Sequence, residues 1–226
     1  MSRKYTQFYS LHTVKKQQFT GNVELNRLLE AGDFGIGTFN DTNGELIAIG
    51  GEIYRTCHDG SAEKITDFSE KTPYSIMTKF FPDETHNISQ HLNMDEAYSY
   101  FDSLITRPDH IHAVAINATF KKICTRAPKP QKPPYKDLQT LISEQKESHF
   151  ENIEGTIVGF YTPDYLSALG VPGYHLHFID NARQHGGHVK SFNLEQADFH
   201  IQLLDEISVI NPGGDQHINH KSRKAA

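Results

Sequence analysis

Turn-forming dipeptides between short apolar runs are the feature that most limits what this 226-residue chain can fold into. The runs are FGIGTF from Phe34, ELIAI from Glu45 and EIYRTC from Glu52, and they are separated by Asn43-Gly44 and Gly50-Gly51. Such pairs supply the positive backbone angles of tight primed turns, so apolar runs joined by them form antiparallel hairpins. Just upstream, VELNRLLEAGDF places Val23, Leu25, Leu28 and Leu29 on one helical face, with Gly32 positioned to end the helix.

The pattern changes at Asn93. Asn93 is a candidate N-cap with Glu96 as its capping-box partner, and Pro108 lies beyond the end, which predicts a helix from Met94 to Ile105. HIHAVAINATFKKICTR then alternates partly as a strand does. RAPKPQKPPY, with four prolines between Pro128 and Pro134, breaks regular structure and is expected to be a linker or an ordered covering loop. A second helix is expected over KDLQTLISEQKESHF, followed by strands at GTIVGFYT, GYHLHFID, HVKSFNLE and DFHIQLLDEISVI. The polar tail NPGGDQHINHKSRKAA carries no apolar period.

A net charge of -6, from 22 basic and 28 acidic residues, argues against a nucleic-acid partner and points to small molecules or proteins. Two cysteines, Cys57 and Cys124, make no disulfide framework. No run of signal-peptide or membrane-spanning character follows the basic N-terminus, so a soluble, cytoplasmic protein without a membrane partner is expected. The compositional oddity is 14 histidines with no tryptophan.

The histidines matter most in GYHLHFIDNARQHGGHV, residues 173–189. On a strand, His175 and His177 project from one face while Leu176 and Phe178 face the opposite way. Gly186-Gly187 lets the chain turn and return antiparallel, bringing a third imidazole to the same point. His188 and His185 both compete for that third position, and spacing does not choose between them. Three neutral imidazoles without cysteine leave an open coordination position, which reads as a catalytic rather than a structural zinc site. The plainer alternative is a pair of surface histidines on a polar sheet face.

GDFGIGTFN (32–40), GELIAIGGEIYR (44–55), TRAPKPQKPPY (125–135) and GYHLHFIDNARQHGGHV (173–189) resemble, in the same order, motifs of the bacterial alpha-acetolactate decarboxylases. The resemblance implies one Zn2+ per chain held by His175, His177 and His188, which settles the choice against His185. It also implies that Glu52 and Arg126 stand beside the metal as catalytic residues. Either has a plain reading as a surface charge when the motif is ignored. In some members a carboxylate near the C-terminus reaches the zinc. Here the tail after Pro212 holds Asp215 but no glutamate.

The implied reaction is decarboxylation of 2-acetolactate to acetoin and carbon dioxide, through a zinc-stabilised enediolate, in acetoin and butanediol formation from pyruvate. Arg126 would hold an anionic oxygen of the substrate and Glu52 would manage the proton. There is no GxGxxG fingerprint and no P-loop. A zinc hydrolase and a non-catalytic metal- or ligand-binding protein are the rival readings of the same histidines. The expected architecture is an α+β protein of two sheet-based halves of mainly antiparallel or mixed strands. The break is placed after residue 127, giving halves 1–127 and 128–226, with the metal site at their contact and a homodimer allowed.

Overall fold

The computed structural model describes residues 3–211. The chain opens with strand β1 (Lys4–Phe8), helix α1 (Leu11–Lys15), β2 (Val23–Glu24), helix α2 (Leu25–Ala31) and β3 (Phe34–Thr38). The hairpin strands β4 (Glu45–Ile49) and β5 (Glu52–Thr56) come next, then β6 (Ala62–Lys64), β7 (Lys71–Thr72), β8 (Tyr74–Thr78), β9 (Glu84–Ile88) and β10 (Leu92–Asn93). Helix α3 (Met94–Leu104), the long strand β11 (Ile111–Ala127) and helix α4 (Leu138–Ser143) lead to β12 (Lys146–Thr162), β13 (Gly173–Asp180), β14 (Gly186–Leu204) and β15 (Glu206–Ile210).

These elements form an α+β protein built on two large sheets. The first has the order β15-β1-β8-β3-β4-β5-β6 and is antiparallel except for the parallel β1–β15 pair. The second has the order β10-β14-β11-β12-β13, with β9 also on β14 and the start of β14 back on β13. That last pairing joins β11, β12, β13 and β14 into a closed ring of strand contacts. The expected break after residue 127 does not follow the sheets, because β9, β10 and β11 belong to the second sheet and β15 returns to the first.

Alternation along the strands produces three cores. Between the sheets, Tyr5, Phe34, Ile36 and Ile47 from the first pack with Ala113, Val158, Phe160 and Ile179 from the second. On the far side of the first sheet, Leu25 and Leu28 of α2 cover Leu46, Ala48 and Met77. On the far side of the second, Ala97 and Phe101 of α3 join Leu176, Phe178 and Phe199. Burial of so many large apolar side chains, at about 1.5–3 kcal/mol each, holds the layers together without a disulfide.

The local signals mostly act as read. Gly50 and Gly51 have φ of 61° and 78°, the pair of positive angles that a two-residue primed turn needs, and Ile49 pairs with Glu52 across it. Helix α3 starts with both halves of the capping box, Asn93 accepting from Glu96 N while the Glu96 carboxylate accepts from Asn93 N. Other readings change. Asn43-Gly44 is not a two-residue turn, because Asn43 keeps a negative φ and the connection holds the short helical turn Asn40–Thr42. Gly32 ends α2 with extended backbone rather than a left-handed one.

The second expected helix is cut to Leu138–Ser143, and KESHF instead opens β12, because Lys146–Phe150 pairs in register with Ile123–Ala127. The two strands expected at HVKSFNLE and in DFHIQLL are one continuous strand, β14. The proline-rich segment is a covering loop pinned to the Asn40–Thr42 turn. Thr42 Oγ1 donates to Lys129 O at 2.9 Å and Gln131 N donates to Asp41 O at 2.8 Å. Among the described residues no helix is long and apolar enough to cross a membrane.

Candidate metal centre

The pleat places His175 and His177 on the face of β13 opposite Leu176 and Phe178, which enter the outer core. His188 arrives from β14 as the direct cross-strand partner of His177, and Arg126 on β11 is the direct partner of His188. Three ring centroids therefore stand 5.2–5.4 Å apart: His175–His188 at 5.2 Å, His175–His177 at 5.3 Å and His177–His188 at 5.4 Å. One nitrogen from each ring lies within 4.8 Å of the others.

The chain does not turn at Gly186-Gly187, as the sequence suggested. The turn is made before them, where Asp180 accepts from Gln184 N and His185 N, and Arg183 takes φ of 59°. The two glycines are already in β14, where they permit close approach. A Cβ on Gly186 would lie 2.3 Å from Phe178 O, and one on Gly187 would lie 2.9 Å from Arg126 O. His185 is taken away from the cluster by Asp180, whose carboxylate is 3.1 Å from its Nδ1.

Electrostatics keep the three rings neutral, the form that binds metal. Burial lowers the pKa of His175 to about 4, aided by the Arg126 charge, and that of His177 to about 3, aided by His175. Burial, and after it the neighbouring His175, His177 and Arg126, hold His188 well below the usual value as well. His177 Nδ1 donates to Leu46 O at 3.0 Å, which fixes the tautomer and leaves Nε2 facing the cluster. That Nε2 and His175 Nδ1 are buried without a protein partner, which suits both nitrogens to metal ligation. The donor set and its orphaned nitrogens fit a divalent cation such as zinc.

A cavity of about 410 Å³ opens over the histidines. Its floor carries Arg126 and Glu45, and its wall is apolar, with Leu11, Val14, Leu141 and Pro172 among the lining residues. Glu45 was missed in the sequence. Its Oε2 lies 3.9 Å from His177 Nε2, too far for a hydrogen bond, and burial raises its pKa to about 8 against the pull of Arg126. Glu52, the glutamate expected here, is at the turn end of the same hairpin, about 13 Å along the strand from Glu45. It is bound there by Lys64 and Tyr54, which hold its carboxyl below the usual range, and it does not line the cavity.

The signal that marked Glu45 was its place in the cross-strand row Thr38–Glu45 just after a Gly-containing turn, a row that the hairpin register sets. Asp215, the tail candidate, lies outside the described residues. A further group of donor atoms, Cys124, Glu147 and His149, has Glu147 and His149 exposed and Glu147 paired with Lys190.

The family model for alpha-acetolactate decarboxylase matches residues 6–222. The chain belongs to that family. It is 40% identical over 177 residues to the alpha-acetolactate decarboxylase of Bacillus subtilis, covering 78% of this chain and 69% of that one. Over 209 residues it is 33% identical to the Brevibacillus brevis enzyme, covering 92% and 73% respectively. The crystal structure of the B. subtilis alpha-acetolactate decarboxylase superposes with a TM-score of 0.92 at 34% identity, covering 96% of this chain and 92% of that one. The matched residues include the HxH and GGH stretches on which the clustered imidazoles stand.

Proposed function

We propose that this member of the family decarboxylates 2-acetolactate to acetoin and carbon dioxide, with a divalent cation, zinc by donor chemistry, held by His175, His177 and His188. The observation that carries the reading is the convergence of three neutral imidazoles, His177 buried and His175 and His188 half-buried, with Arg126 and Glu45 lining one cavity. When bound there, the cation supplies Lewis-acid stabilisation for the oxygen on which charge builds as the carbon-carbon bond breaks.

The chain's own residues supply the rest. Arg126 points a permanently charged fork into the cavity, and its Nε has no protein partner, so it is free to hold a substrate oxygen and orient the scissile bond. The pinned loop after Pro128 fixes the end of the strand that carries it. Glu45 takes the proton-handling role first expected of Glu52, because its Oε2 stands 3.9 Å from His177 Nε2 in the cavity lining while Glu52 is spent on Lys64. The apolar wall formed by α1, α4 and the Val171-Pro172 segment lowers the polarity around these groups, which strengthens each of these interactions.

The test is direct. Purified protein, analysed for metal, is given racemic acetolactate while carbon dioxide and acetoin are followed, before chelation, after it and after zinc is restored. Turnover that disappears with the metal and returns with it supports the reading. A protein that turns over acetolactate equally well without metal overturns the metal role, and one that produces no acetoin in either state overturns the reaction.

A further inference from the structure

Among the described residues, eight buried side-chain nitrogen or oxygen atoms lack a hydrogen-bond partner, and five of them belong to residues that line the histidine cavity. His175 and His177 are accounted for by the metal, and Arg126 by the substrate anion. Gln145 Oε1 is an acceptor, and Tyr74 OH is the neutral donor left over. A buried hydroxyl without a partner costs stability, so a chain that keeps one at a cavity has a use for it.

The sheet register shows where that hydroxyl is aimed. Tyr74 on β8 is directly opposite Thr38 on β3, and Thr38 is directly opposite Glu45 on β4. Residues directly opposite share a face, so Tyr74, Thr38 and Glu45 form one row toward the second sheet, with the outer two about 10 Å apart at two strand spacings. Thr38 Oγ1 is occupied, donating to Gly44 O at 2.9 Å. Tyr74 is 4% exposed, packs among the residues between the sheets, and lines the cavity wall with Glu45 and the histidines.

Resting on the decarboxylase reading of this cavity, we propose that the Tyr74 hydroxyl is a catalytic residue that donates a hydrogen bond to an oxygen of the bound substrate. It stands on the side of the cavity formed by the first sheet, whereas Arg126 and the histidines stand on the second. The substrate is thereby held between the sheets by donors from both. Burial also raises the phenol's pKa far above its ordinary value, which keeps the group a donor throughout the physiological range.

Tyr74→Phe removes only the hydroxyl and keeps the ring that packs between the sheets. Three measurements on the zinc-loaded parent and variant test the proposal: thermal unfolding, kcat/KM for acetolactate, and calorimetric affinity for 2,3-dihydroxy-2-methylbutanoate, a diol acid of the same carbon skeleton that has no keto group and does not decarboxylate. The variant is expected to unfold at the same temperature or higher, since an unsatisfied group has gone, while kcat/KM and diol-acid affinity each fall about tenfold to a hundredfold, the worth of one hydrogen bond to a charged group. Unchanged kcat/KM and unchanged affinity overturn the proposal, as does a variant less stable than the parent, which would mean that the hydroxyl has a structural partner. If the parent fails to release carbon dioxide from acetolactate, the reaction reading falls separately. A tenfold difference in diol-acid affinity would still uphold Tyr74 as a ligand-binding group.

Discussion

Gly186→Ala tests whether the metal centre depends on how closely β13 and β14 approach. The added Cβ would lie 2.3 Å from Phe178 O and 2.7 Å from Thr56 Cγ2, whereas ordinary contact begins at 3.4 Å. Backbone oxygen does not move aside as a flexible side chain does, so β14 must retreat by about 1 Å. Overpacking of this kind costs about 1–3 kcal/mol. For a chain of this size that lowers Tm by about 2–12 °C. The effect on metal is larger in kind. His188 is two residues along the same strand and faces His177 directly. Metal sites tolerate about 0.2 Å in ligand distance, and a displacement of about 1 Å at one of three ligands exceeds this several-fold. Metal titration of the stripped protein, with thermal unfolding in chelator alongside, is the assay. The expected result is a folded protein with a moderately lowered Tm and zinc affinity reduced at least a hundredfold. Wild-type zinc affinity in Gly186→Ala would refute the argument that strand closure sets the ligand geometry.

Glu45→Gln is expected to lose about a hundredfold or more in kcat with its metal retained, while Glu52→Gln stays within about twofold of the parent, measured by acetoin formation side by side. Equal losses in the two would refute the reassignment. Arg126→Lys keeps the charge but loses the planar fork beside His188, so kcat/KM should fall at least tenfold at unchanged zinc content. Burial lowers the His112 pKa to about 4. The unfolded chain then binds the proton first as pH drops. The contribution is therefore complete above about 6.5 and is lost between about 6.5 and 4, at about 1.4 kcal/mol per pH unit. His112→Asn should unfold in urea without that component, and identical pH profiles for parent and variant would refute it.

Strands β3 to β5 of the first sheet and the histidine-bearing strand β13 were legible because their signals are local. Gly50-Gly51 needs only its own two positive φ angles to make the β4–β5 turn, and His175 and His177 share a face by the two-residue period alone. Asn93 and Glu96 cap α3 through atoms three residues apart. The segment after Ser143 was misread because nothing within it reports that β11 extends to Ala127 and offers a partner edge. Residues 146–150 have a helix-compatible composition, and the pairing with Ile123–Ala127 prevails over it.

The amino-acid sequence by itself supplied an HxH strand, a following GGH and an arginine before a proline-rich loop, and its family resemblance pointed to Glu52 on the hairpin. Nothing local in it pointed to Glu45. Glu45 and Glu52 sit at opposite ends of one hairpin, and their local surroundings are similar in kind. Only the stacking of one sheet on the other puts the Glu45 end over His177 and leaves the Glu52 end to Lys64. The same stacking buried Tyr74 OH without a partner, whereas His185 is carried aside by the turn at Asp180. Hairpins and faces follow from torsion angles and side-chain alternation within a few residues. The placing of Glu45, Arg126 and Tyr74 around the histidines depends on contacts across strands far apart in the chain, which no local pattern encodes.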